Sequence, residues 1–293
     1  MPGIFLEPDD LCVYVTEACN SNCVMCPMSL ASRRRGLTMA PEQWSALKEI
    51  DPQAVFHITI TGGEPFLDAR NTLAALALIR ERFPEAEVLI LTNGRALAVP
   101  EIASVLLPLL TERVCLAIPI HAPSAELHDR ITQTPHSFAQ AIRGIRALAP
   151  SPARIEARVV AHRWNLEQLS PTFRMLTDLQ TRITVVNLIA MEMTGCAAAR
   201  RGELWVDYRE AVREAREGIL YTVRHGIDVG LYNFPLCSVP RELWPIVKNS
   251  ISPRKIRYDD ACENCAEREA CGGMFYSTRE LGLFRVEPIE ARR

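Results

Sequence analysis

No run of apolar residues in this chain approaches the roughly 18 to 20 that a helix needs to cross a bilayer, so no membrane-spanning helix is expected. An excess of positive charge is also missing. The 33 basic residues are outnumbered by 35 acidic ones, giving a net charge of −2, which leaves no uncompensated field to hold a nucleic-acid backbone. Nucleic-acid partners are therefore not expected. There is no low-complexity tract, and Arg33-Arg34-Arg35 is the one charge run, read as a solvated loop. The first ten residues carry Pro2, Glu7, Pro8, Asp9 and Asp10 where an export signal would be basic and then apolar. A cytoplasmic location is the expectation.

What is present is an average globular composition, 48% apolar and 23% charged, on 293 residues, enough for one large α/β domain with an appendage. The ten cysteines stand apart from that average. In a large intracellular chain, clustered cysteines bind metal or do chemistry more often than they form a disulfide framework. Cys19, Cys23 and Cys26 form one group and Cys237, Cys262, Cys265 and Cys271 another, with Cys12, Cys115 and Cys196 scattered. Two groups imply two metal sites.

Short β-rich runs alternate with amphipathic stretches over the first two thirds, which reads as repeated β-α units around a parallel sheet. Six strands are expected at about Leu11–Val15, Phe56–Thr61, Glu87–Leu91, Arg113–Ile118, Arg154–Val160 and Thr184–Ala190. Most are continuous apolar runs, as strands buried on both faces should be. Thr38 is placed to cap a helix starting near Ala40-Pro41, and Asp207 to cap one running to a His225-Gly226 stop. After Gly226 the rhythm breaks into one more strand, Ile227–Tyr232, a Pro-rich basic connection through Pro253–Arg257, and the last cysteines. A boundary is accordingly expected between residues 1–226 and 227–293, the second part being stabilised by metal.

The first cysteines have the spacing C-x3-C-x2-C directly after the first expected strand, with no fourth Cys or His until Cys115. Thiolates select zinc or iron–sulfur clusters, both of which usually take four protein ligands. Three thiols at the carboxyl end of a strand describe a cubane with one open iron; a zinc knuckle with a distant fourth ligand is the alternative. Two further segments end strands: Ile60-Thr61-Gly62-Gly63-Glu64-Pro65 and Leu91-Thr92-Asn93-Gly94. With these residues in this order the chain resembles the radical S-adenosylmethionine (SAM) superfamily. That resemblance implies a partial (β/α)6 TIM-like barrel with a C-terminal cysteine-rich iron–sulfur module. It also implies a 4Fe–4S cluster on Cys19, Cys23 and Cys26 whose open iron binds SAM, and reductive cleavage of SAM to methionine and a 5′-deoxyadenosyl radical that takes a hydrogen atom from the substrate.

Gly62, Gly63, Glu64, Thr92 and Asn93 are the expected SAM-binding residues, Glu64 by accepting from the methionyl amine. Many relatives hold the ribose with a Ser and an Asp where this chain has Ile118-Pro119-Ile120-His121, so His121 is only a candidate, as are His162 and Glu192 for the barrel mouth. Cys196, followed by three alanines, is a candidate hydrogen donor, with a small loop residue as the plainer reading. Cys237 and the C-x2-C-x5-C trio Cys262, Cys265 and Cys271 resemble the one-cluster auxiliary modules (SPASM or twitch type) of the superfamily, with structural zinc as the alternative.

Flanking segments, among them Glu192-Met193-Thr194-Gly195, Gly230-Leu231-Tyr232-Asn233, Ser250-Ile251-Ser252 and Cys271-Gly272-Gly273-Met274-Phe275, resemble the paired maturases of the His-Xaa-Ser peptide-modification system. That likeness implies a ribosomally made precursor peptide as substrate, a second maturase, and an external donor such as flavodoxin or ferredoxin. The rival readings are an epimerase or dehydrogenase of a carbohydrate or aminoglycoside, and a non-catalytic iron–sulfur electron carrier.

Overall fold

The computed structural model describes residues 1–7, 9–249 and 255–291. The Ser250-Ile251-Ser252 segment and the first two residues of the expected Pro253–Arg257 connection lie outside the described residues. Nine strands form one sheet in sequence order: β1 (Gly3–Glu7), β2 (Asp9–Tyr14), β3 (Val55–Thr61), β4 (Glu87–Leu91), β5 (Val114–Pro119), β6 (Arg154–Val160), β7 (Val185–Ile189), β8 (Asp228–Tyr232) and β9 (Val247–Lys248). β10 (Ile256–Arg257) and β11 (Met274–Phe275) make a separate antiparallel pair.

From β2 to β9 every pairing is parallel, and the first six of these strands fall within two residues of the expected ones. This is an α/β sheet consistent with a partial TIM-like barrel. β1 enlarges the expectation, and the expected strand Ile227–Tyr232 belongs to the same sheet. β1 folds back antiparallel on β2 with Gly3 opposite Tyr14, and β8 continues the sheet by pairing with β7. The sheet therefore runs past residue 226, where the sequence rhythm breaks.

Each strand sends alternate side chains to opposite faces. Leu11, Val13, Ile58, Ile60, Val88, Ile90, Leu116, Ile118, Val186, Leu188 and Leu231 are buried on one face beneath the helices. The opposite, inner face is not uniformly apolar. It carries Cys12, Thr59, Cys115, Glu156, Arg158, Asn187 and Tyr232, so these strands are not the doubly apolar runs expected. Cys115 has its Sγ 4.0 Å from Glu156 Oε2.

The helix Tyr208–Arg224 begins at Asp207, whose carboxylate accepts from Arg209 N at 2.8 Å, and stops before Gly226 at φ 75°. The Thr38 cap is not formed. Thr38 Oγ1 faces Thr16 Oγ1 at 2.9 Å, and the helix Pro41–Ser45 starts from Ala40, whose N–H donates to Gln43 Oε1 at 2.8 Å. Arg33-Arg34-Arg35 is the last turn of the helix Leu30–Arg35 and not a loop.

The C-terminal residues share the core of the barrel. Tyr208 is buried, meets Trp205 and Phe234 edge to face and Phe284 at a tilt with ring centroids 5.1–5.5 Å apart, and meets Thr278 Oγ1 at 2.8 Å. Phe234, Phe284 and Val286 belong to the same apolar cluster as the strands. Tyr208→Phe leaves Thr278 without its buried partner and is expected to cost about 1–3 kcal/mol. Tyr208→Ala is expected to cost about 3–5 kcal/mol and to expose the C-terminal segment to limited proteolysis. Unfolding and proteolysis of the two variants measure both effects.

Candidate active site

The three-cysteine loop follows β2 and is fastened from several sides. Val15 N donates to Thr61 O at 2.8 Å and Glu17 N to Leu37 O at 2.7 Å, while Asn22 N and Val24 N reach Thr132 O and Ile131 O at 2.9 and 3.0 Å. Val24 and Met25 anchor the loop in a small apolar cluster with Ala122, Ile131, Met191 and Met193. The three cysteines are half-buried. Burial pushes the Cys23 thiol up to about 12, and burial raises Cys19 and Cys26 as well, while the Arg33 guanidinium pulls all three the other way.

Next to this loop stands the segment after β3. Gly63 N donates to Thr16 O at 2.6 Å and Glu64 N to Ala18 O at 2.8 Å. A Cβ on Gly62 would lie 2.5 Å from Thr16 O, and one on Gly63 would collide with the Ala18 backbone. The glycines are thus required by the cysteine loop itself. Glu64 is fully buried, with Oε1 accepting from Thr92 Oγ1 at 2.7 Å and Phe66 N at 3.1 Å and Oε2 from Asn93 N at 2.6 Å. Burial pushes its carboxyl above the ordinary range against these three donors. Its oxygens face the protein, where the sequence suggested a methionyl amine.

Asn93 carries the connection onward, donating from Nδ2 to Asn20 Oδ1 at 2.7 Å, and Arg95 grips Asn20 O and, at 3.3 Å, Ser21 Oγ. Gly62, Gly63, Glu64, Thr92 and Asn93 therefore form one assembly with the loop of Cys19, Cys23 and Cys26.

His121 and His162 come together at the ends of β5 and β6, joined by His128, which sequence reasoning missed because its helix shows no motif. His121 stacks on His128 at 5.7 Å and its N–H donates to His128 Nδ1 at 3.2 Å. Asn165 Nδ2 ties His121 O to Val160 O, both at 2.9 Å. Burial holds His128 down to about 4 and His162 to about 3, and holds His121 well below its usual range with help from its two neighbours. His121 Nδ1 and His162 Nε2 are buried without a partner among the described residues.

The two remaining candidates lie elsewhere. Glu192 receives Lys255 Nζ at 3.0 Å. Cys196 belongs to the helix Gly195–Ala199 and not to a loop; its N–H donates to Cys26 O at 2.9 Å, and its Sγ sits 3.0 Å from Arg33 Nη2 and 3.4 Å from Met28 O. Arg33, read from sequence as solvated, is thus shared between Cys196 and the three-cysteine loop.

The second cysteine group converges on one small recess, lined by Cys237, Cys262, Cys265 and Cys271 with Pro235, Met274 and Ile289. Backbone N–H groups already point at its sulfurs. Leu236 N and Gly273 N donate to Cys271 Sγ and Ile289 N to Cys265 Sγ, each at 3.4 Å. Arg268 stacks 4.5 Å over Tyr258, whose hydroxyl donates to Cys271 O at 2.6 Å beside the recess. Among the described residues no three His, Cys, Asp or Glu side chains converge as closely as a single metal ion requires.

The radical SAM superfamily model matches residues 13–176, more than half of the chain. The chain is similar to a probable dual-specificity RNA methyltransferase RlmN of Shouchella clausii, 29% identical over 44% of this chain and 38% of that protein. It is also similar to the mycofactocin maturase MftC of Mycobacterium tuberculosis, 30% identical over 53% of this chain and 38% of that protein. Among solved structures, SuiB of Streptococcus suis bound to S-adenosylmethionine superposes with a TM-score of 0.60 at 13% identity, covering 87% of this chain and 55% of that one. The chain thus spans well under two thirds of each relative.

The buried histidines set a pH dependence. An imidazole held near 3 in the folded state and near 6.5 when unfolded binds its proton only on unfolding, so its contribution is present above about pH 6.5 and lost as pH falls toward 3. Between pH 7.5 and 5.5 the parent is expected to lose about 1.4 kcal/mol more stability than His162→Asn, which keeps an acceptor for Trp164 N. Parallel unfolding curves at the two pH values check this; equal losses would contradict it.

Proposed function

The chain belongs to the radical SAM superfamily, and on that basis we propose that it is a maturase that oxidises or crosslinks a ribosomally made precursor peptide, of the His-Xaa-Ser type. The observation that carries the reading is the pair of thiol groups: three on the loop after the first parallel strand, and four around one recess. MftC, a maturase, and SuiB, whose structure bound to its precursor peptide SuiA superposes at a TM-score of 0.60 and 14% identity over 78% of this chain and 49% of that one, support a peptide substrate.

In this reading Cys19, Cys23 and Cys26 hold one 4Fe–4S cluster and Cys237, Cys262, Cys265 and Cys271 a second, fully thiolate-ligated one. Four thiolates suit tetrahedral zinc as well as a cubane, and metal analysis separates the two. When bound there, the first cluster would supply the electron for reductive cleavage of SAM. The chain does the rest. Arg33 offsets thiolate charge, the Gly62-Gly63 backbone and Asn93 border the methionyl end, and Glu64 positions Asn93 and, through it, the loop. His121 and His162, neutral and buried, border the ribose side, and Glu192 the mouth. Cys196, turned to Arg33, keeps the hydrogen-donor role only if that contact opens. Residues 227–293, whose strands β8 and β9 complete the barrel sheet, carry the auxiliary cluster site. A flavodoxin or ferredoxin and a second maturase complete the system in the cytoplasm.

A carbohydrate epimerase with the same clusters is the second reading, favoured by the Cys196 thiol beside Cys26. Anaerobic reconstitution is expected to give about eight irons per chain, and about four after Cys19, Cys23 and Cys26 are together replaced by Ala. One zinc with half the iron would contradict the second cluster.

A further inference from the structure

One polar atom inside the barrel is left without a use. Asn187 of β7 is 2% exposed, and its Oδ1 has no hydrogen-bond partner among the described residues. An acceptor buried in this state destabilises the fold, so its retention calls for a ligand. The surroundings are shaped around it. Asn187 pairs in register with Gly230 of β8, and a Cβ on Gly230 would lie 2.5 Å from Asn187 Oδ1 and 2.9 Å from the Tyr232 ring. Any other residue at 230 would collide with the Asn187 amide in this position.

On the other side Asn187 pairs in register with Arg158 of β6. Arg158 Nε donates to Glu156 Oε1, which fixes the guanidinium. The Glu156 side chain is only 7% exposed and that of Arg158 26%, so the cation keeps some access to solvent. Its Nη groups make no hydrogen bond among the described residues. One wall thus presents a braced cation and an unused acceptor on adjacent strands, at positions paired in register.

We propose that Asn187 and Arg158, braced by Glu156 and given room by Gly230, are the residues that grip the substrate inside the barrel, and that the group they take is the peptide backbone. A residue in an extended peptide turns its N–H and C=O to the same side, as strand pairing requires. The N–H donates to Asn187 Oδ1 and the C=O accepts from Arg158. This inference rests on the reading that the substrate is a peptide, and it names the residues that recognise it.

The test uses the reconstituted enzyme with SAM and reductant, given either a peptide pool digested from uniformly deuterated protein or uniformly deuterated glucose, with deuterium in 5′-deoxyadenosine read by mass. The parent is expected to take deuterium from the peptide pool. Asn187→Leu is expected to lose that transfer tenfold or more with no fall in melting temperature, since it removes an unsatisfied acceptor. Asn187→Asp keeps an acceptor and is expected to stay within threefold of the parent. Transfer from peptides that is undiminished in Asn187→Leu would overturn the inference and leave the peptide reading standing. Transfer from glucose alone, or from neither, would overturn both. A loss in Asn187→Leu matched by a lower melting temperature and an equal loss in Asn187→Asp would mark Asn187 as structural and overturn the inference.

Discussion

Everything at the candidate active site hangs on the buried carboxylate of Glu64. It gathers Thr92 Oγ1, Asn93 N and Phe66 N, and so fixes the end of β4 to the end of β3. Asn93 and Arg95 then hold Asn20 and Ser21, while Gly62 and Gly63 press against Thr16 and Ala18. A loop that must keep three thiols apart cannot collapse on itself to bury them. It is held open from outside, and a charged group without solvent is tolerable there because three donors converge on it.

The same economy appears at the C-terminal end. Four thiols gather around one recess, and the segment that carries them lacks enough apolar periodicity for a core of its own. It borrows one instead. Tyr208 ties the barrel helix to Thr278, Phe234 and Phe284, so the second cysteine group is mounted rigidly on the sheet that carries the first. A thiol site built on a docked segment keeps its geometry through packing, before any metal contributes.

Much of the fold was legible because its signals are local. Apolar runs bounded by turn residues located β2 to β8, and Asp207 with Gly226 located the longest helix. β1 was missed because Gly3–Glu7 has no turn signature that separates it from a disordered start, and its partner is supplied by β2. The cysteine spacing and the Gly62-Gly63-Glu64 and Thr92-Asn93 segments were readable as a set, yet the direction of the Glu64 carboxylate was not, since its donors come from a strand end nearly 30 residues away. The shared role of Arg33 was hidden for the same reason: Cys196 lies 163 residues along the chain. Asn187 and Arg158 gave no signal, because the inner face of a barrel strand is distinguished from the outer one only when its neighbours are in place.

The proposed activity depends on the three-cysteine loop holding a cluster that cleaves SAM. The most direct measurement is the yield of 5′-deoxyadenosine and methionine from SAM by the anaerobically reconstituted, reduced protein and by the variant with Cys19, Cys23 and Cys26 replaced by Ala. The account expects the two products in equal amounts from the parent and neither from the variant. Equal cleavage by both proteins, or none by a parent loaded with iron in both thiol groups, would contradict it.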